Sequence, residues 1–129
     1  MVFVISVLNS LLLGKDKEYL PFQGIVLAHT RELAHQIHRE FKRMGKYFRR
    51  PELRFACVFG GISVEDNIRE LTRADKLPHI VIGTPGRMLD LNQKKVLHLD
   101  LVIFLLCSVS SSWLTSAIRL CRVLHLVIY

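Results

Sequence analysis

His79-Ile80-Val81-Ile82-Gly83-Thr84-Pro85-Gly86-Arg87 runs from a short apolar strand straight into a helix start. Ile25-Val26-Leu27-Ala28-His29-Thr30-Arg31-Glu32-Leu33-Ala34 makes the same transition earlier in the chain. A brief, unbroken apolar run is the kind of strand that a parallel sheet buries on both faces. Each turn carries a threonine where a helix takes its N-cap, and an arginine close behind. Pro85 fits the first helical position, where its missing N–H costs nothing. In a parallel α/β sheet both turns emerge on one edge, the edge at which such sheets bind ligands. A helix N-terminus there offers unpaired N–H groups and partial positive charge, which suits a phosphate.

Working outward, Leu33, Ile37, Phe41 and Met44 recur at helical spacing and predict a core-facing stripe, with Gly45 near the helix end. Leu53 to Phe59 reads as another strand, followed at once by Gly60-Gly61. Ser63 and Asp66 resemble a capping box that opens a helix with Val64, Ile68 and Leu71 inside. Pro78 breaks the chain before the strand at His79, and the helix from Pro85 is expected to run to about Asn92. Met1 to Leu13 is apolar but lacks the basic segment and small-residue cleavage site of a signal peptide, so a buried helix is expected. Gly14 to Gly24 reads as a surface loop. The alternation predicts an α/β fold, a parallel sheet with flanking helices.

At 129 residues the chain is about one domain, and 50% hydrophobic with 22% charged residues favours a globular over a disordered class. A net charge of +7 favours an acidic partner, nucleic acid or an anionic membrane surface. Arg39, Lys42, Arg43, Lys46, Arg49, Arg50 and Arg54 crowd the middle of the chain and read as a solvated helix face and turn. Cys57, Cys107 and Cys121 lie far apart, with no Cys/His spacing of a zinc site; Cys57 reads as a small core residue. His35 and His38 lack a third ligand and read as a surface pair. Leu101 to Ile118 carries no charge, a borderline length for a membrane span. Its serines and the following Arg119 and Arg122 argue against one, and Leu101 to Leu106 alone makes a good buried strand.

Three stretches taken together resemble consecutive motifs of the DEAD-box RNA helicases: His29 to Ile37, Phe59-Gly60-Gly61, and Pro78 to Arg87. His29, standing where the family usually has proline, and Pro78-His79-Ile80-Val81 are similar to the branch whose box reads DECD, linked to splicing and mRNA export. The resemblance covers roughly residues 1–100 and implies the first of two RecA-like domains. It also implies a nuclear, intracellular setting and partners in the splicing and export machinery. By position it assigns contacts with the backbone of single-stranded RNA to Thr30 and Arg31, to Gly60 and Gly61, and to Thr84, Gly86 and Arg87. The chemistry suits each: hydroxyls and helix-start amides donate to phosphate, glycine lets the backbone come close, and arginine can donate twice. Such contacts position a strand without reading its bases. The plain structural roles are helix caps for the threonines, a tight turn for the glycines and a local ion pair for Glu32.

The departures matter as much. The family uses ATP and Mg2+, held by a glycine-rich loop ending in Gly-Lys-Thr and by an Asp-Glu-x-Asp box. Here Gly14-Lys15 leads into Asp16 and Gly45-Lys46 into Tyr47, while Met1-Val2-Phe3-Val4 resembles the helix just after such a loop. Where the box should follow Leu101 to Leu106 the sequence is Cys107-Ser108-Val109-Ser110. The expectation is a truncated helicase domain over residues 1–100, with RNA-gripping loops but no catalytic, cofactor or metal residues, and a divergent apolar tail over 101–129. Two alternatives stay open: a non-catalytic interaction or membrane-tethered basic fragment, and an incomplete gene model whose tail is mis-spliced or frame-shifted.

Overall fold

The computed structural model describes residues 2–12, 22–47, 53–73, 75, 77–97, 104–108 and 126–128. In chain order they form α1 (Val2–Leu12), β1 (Gly24–Ala28), α2 (Arg31–Gly45), β2 (Phe55–Val58) and α3 (Val64–Thr72). These are followed by β3 (Ile80–Gly83), α4 (Pro85–Gln93), β4 (Phe104–Ser108) and β5 (Leu126–Ile128). The strands make one parallel sheet in the order β2-β3-β1-β4-β5.

Period-two alternation splits the strands between two cores. Val26, Ala28, Cys57, Ile80 and Ile82 pack on one face with Val4 and Leu8 of α1 and Ala34, Ile37 and Phe41 of α2. Ile25, Leu27, Ala56, Val58 and Val81 pack on the other with Leu71 of α3 and Met88 and Leu91 of α4. The faces follow from the path of the chain. It moves outward from β1 to β2 and then turns back through β3 and β1 to β4. A constant crossover hand therefore puts α2 on one face and α3 and α4 on the other. The parallel α/β fold expected from the sequence is the fold observed.

Details differ where packing outvotes pattern. The buried stripe of α2 is Ala34, Ile37 and Phe41, with Leu33 and Met44 packed at its margins. Gly45 is the last helical residue and Lys46 the cap, in ordinary right-handed geometry. The reason for glycine there is space: a Cβ would lie 2.8 Å from the Phe55 ring. β2 is shorter than Leu53 to Phe59; of the strand predicted over Leu101 to Leu106, residues 101–103 lie outside the described residues, and Phe104–Ser108 forms β4. The surface loop predicted at Gly14 to Gly24 lies mostly outside the described residues. Among the described residues no helix is long and apolar enough to cross a membrane, and Phe104–Ser108 of the uncharged stretch is a strand.

Candidate nucleic-acid interface

The C-terminal ends of β1, β2 and β3 open into an exposed cleft of about 420 Å³ lined by His29, Thr30, Arg31, Glu32, Gly60 and Thr84. Of the seven residues singled out from the sequence, Thr30, Arg31, Gly60 and Thr84 line it directly. Gly61 is the next residue of the same loop, and Gly86 and Arg87 stand in the first turn of α4.

Thr30 caps α2, its Oγ1 accepting from the Leu33 amide at 3.2 Å, while its carbonyl accepts from the Ala34 amide. This leaves the amides of Arg31 and Glu32 without intrahelical partners. Capping uses an acceptor lone pair, so the hydroxyl hydrogen remains available to a phosphate oxygen, and the two roles are compatible. Thr84 sits at the N-cap of α4 but makes no side-chain cap bond. Its amide donates to the Val58 carbonyl at 3.2 Å, tying the start of α4 to the end of β2. Because Pro85 has no N–H, the amides that α4 can present are those of Gly86 and Arg87.

Gly61 has φ +94°, in the left-handed region, and a Cβ there would collide with Arg31 Nη1. The Arg31 guanidinium thus lies across Gly61, joining the first loop to the second. Gly60 and Gly86 differ, since a Cβ at either would meet nothing within 4 Å. Arg87 is half-buried and reaches sideways, donating from Nη2 to the Ile62 carbonyl at 2.9 Å and from Nη1 to Asn67 Oδ1 at 3.1 Å.

Several side chains depart from their sequence readings. Glu32 lines the cleft and belongs to neither ion pair found among the described residues, Arg43–Glu40 and Arg69–Asp66. Ser63 does cap α3, accepting from the Asp66 amide at 3.1 Å. Arg39, Lys42, Arg43 and Lys46 are exposed as expected. Arg54 is instead structural, donating to the carbonyls of Leu77 at 3.1 Å and Asp75 at 3.5 Å. His38 is not a simple surface residue: it is half-buried and donates from Nε2 to the Phe55 carbonyl at 3.3 Å. Burial lowers its pKa and that of His79, whose Nδ1 accepts from the Arg54 amide. Burial, with Glu70 nearby, pushes the Cys57 thiol up to about 11, consistent with a packed and unreactive core cysteine.

Sequence reasoning missed Asn67, which is 2% exposed. The available signal was a polar residue on the inner stripe of α3, between Val64 and Leu71.

Residues 1–104 match the DEAD/DEAH box helicase family. The chain belongs to that family. It is 40% identical over 99 residues to the ATP-dependent RNA helicase SUB2 of Lodderomyces elongisporus, a match covering 77% of this chain and 22% of that protein. It thus spans about a fifth of the length of the curated relatives it matches. Among solved structures it is similar to the yeast DEAD-box splicing factor Prp28, with TM-score 0.67 and 25% identity over 81% of this chain and 24% of that one. A hypothetical ATP-dependent RNA helicase from Sulfolobus tokodaii shares the fold, with TM-score 0.71 and 23% identity over 98% of this chain and 36% of that one.

Proposed function

We propose that this helicase-family chain grips the sugar-phosphate backbone of single-stranded RNA in the cleft at the ends of β1, β2 and β3. The observation carrying the reading is the convergence of three loops there, with Thr30, Arg31, Gly60 and Thr84 facing one open space. Helix-start amides, a hydroxyl hydrogen and a guanidinium are all donors, matching phosphate oxygens, which only accept. Gly60 and Gly86 leave open space in which a strand can approach the backbone closely, Gly61 gives the loop its turn and makes room for Arg31, and Arg87 acts at the same surface. The proposed role lies among nuclear splicing and mRNA-export factors, with protein partners from that machinery; the resemblance of His29 and Pro78-His79-Ile80-Val81 to the DECD branch supports it, as does the likeness to a solved splicing factor.

ATP and Mg2+ serve the family, but the described residues do not fit them. Ser108, at the end of β4, pairs in register with Ala28, and no acidic residue follows Asp100. A hard divalent cation at the family's acidic box is held by carboxylates, and Cys107-Ser108-Val109-Ser110 carries none. The proposed division is a helicase-type portion over residues 1–100 and a tail of different character over 101–129.

Fluorescence anisotropy with a labelled oligouridylate, titrated with salt, tests the reading. Affinity is expected to fall with salt, and Arg31→Ala to reduce the log–log slope by about 0.7, one single-strand phosphate contact. An unchanged affinity and slope in that variant would remove Arg31 from the interface.

A further inference from the structure

Resting on the RNA reading above, we propose that Arg87 and Asn67 form a brace that sets the shape of the Gly60-Gly61-Ile62 loop. Arg87 then serves RNA by positioning that loop, and not by neutralising a phosphate.

The loop leaves β2 and enters α3, and it is tied on both sides of its glycines. Before them, the Val58 carbonyl accepts from the Thr84 amide at 3.2 Å. After them, the Ile62 carbonyl accepts from Arg87 Nη2 at 2.9 Å. Both anchors come from the start of α4, so the loop is held by the neighbouring turn. The guanidinium is itself aimed by its second bond, from Nη1 to Asn67 Oδ1 at 3.1 Å. Asn67 is almost fully buried, and Ser63 caps the helix that carries it. Its amide oxygen is therefore a fixed acceptor. A planar fork held at two nitrogens has little freedom to swing towards a ligand. Lysine would keep the charge but could not span both acceptors in this geometry.

The brace has a consequence for Gly61. Its positive φ places its own amide and that of Ile62, and Arg31 lies across it from the other side. Releasing the Ile62 carbonyl would let the loop relax and would disturb the Arg31 guanidinium as well. The structure thus assigns separate tasks to two arginines that look equivalent in sequence.

The test compares Arg87→Lys, Asn67→Ala, their double variant and Asn67→Asp in the full chain, after circular dichroism has verified folding. Two readouts are taken: oligouridylate affinity with its salt slope, and hydrogen exchange of the Gly60–Ser63 amides. Arg87→Lys and Asn67→Ala are each expected to weaken binding about tenfold, the scale of one charge-assisted hydrogen bond, with the salt slope unchanged. The double variant should bind no more weakly than either single one, and exchange in the loop should quicken in all three. Asn67→Asp, which keeps the acceptor, should restore loop protection and is the variant to use if Asn67→Ala does not fold. Wild-type affinity in Arg87→Lys, additive losses in the double variant, or unaltered loop exchange would each overturn the proposal. If the wild-type chain bound no RNA, the RNA reading would fall, while the exchange data would still decide whether the brace exists.

Discussion

A Cβ placed on Gly86 meets open space, whereas one placed on Gly61 runs into Arg31, so two glycines of the same interface answer to different constraints. Nothing within the protein demands glycine at Gly86, and alanine is the better helix former. Gly86→Ala is therefore expected to leave the urea midpoint unchanged or slightly raised while weakening RNA binding, because the added methyl stands where a backbone would approach. Gly61→Ala should lose both, at a stability cost above about 1 kcal/mol for the positive φ. If Gly86→Ala bound RNA as well as the parent chain, close approach at α4 would be disproved. At this scale the sequence was informative about residue types and silent about aim. Threonine, arginine and paired glycines at strand ends are legible as residue types suited to phosphate. Arg31 and Arg87 looked alike because each follows a threonine, and only the three-dimensional neighbours Gly61, Ile62 and Asn67 tell them apart.

Among secondary-structure elements, β2 carries the least expected feature. It is the outer strand on its side of the sheet, and on the side of β3 the carbonyl of Arg54, just before it, accepts from the His79 and Ile80 amides while that of Val58, at its end, accepts from the Thr84 amide. By strand alternation the polar groups of Phe55 and Cys57 face outward, where an unpaired edge invites association. His38, from α2 on one face, donates to the Phe55 carbonyl. Glu70, from α3 on the other, lies near the backbone of Cys57, and desolvation raises its pKa despite the opposing effects of that backbone and of Lys42. Two helices thus close one edge, a role no periodicity rule reveals because both residues look like solvated positions. The lowered pKa values of His38 and His79 give this region a pH dependence. Each neutral ring is favoured in the folded state, so the unfolded chain binds more protons once pH drops below the ordinary histidine value of about 6.5. Stability is then fully present above that value and is lost as pH falls through it towards the folded pKa values. Glu70 acts in the opposite sense, its contribution fading as pH rises from the usual carboxylate range to its raised value. The urea midpoint should decline between pH 7.5 and about pH 5.5. It should decline less in His38→Gln/His79→Asn, which keeps a donor and an acceptor in place, and more steeply in Glu70→Gln. A decline of the same size in the double-histidine variant would assign the effect elsewhere.

For the whole molecule, the alternation of short apolar runs with amphipathic helices was enough to read a parallel α/β sheet, because burial on both faces leaves few other solutions. The order of the strands and the join of β5 to β4 were not legible, since pairing partners depend on crossover geometry that no local pattern encodes. The same sheet dictates which chemistry the chain can support. Its C-terminal edge brings together β1, β2 and β3 with donor-rich turns, and beside them β4 ends in Cys107-Ser108 with Ser108 opposite Ala28. The proposed grip is a set of donors suited to a polyanion, whereas Cys107-Ser108 offers no carboxylate to place a magnesium ion or orient an attacking water. RNA binding by the 129-residue chain should accordingly be indifferent to base sequence, sensitive to salt, and unaltered by adding MgATP. Phosphate release measured with and without oligouridylate should stay at the buffer rate. RNA-stimulated release by the purified chain would show that nucleotide is held by groups other than those at the end of β4, and the reading of a grip separated from its motor would have to be abandoned.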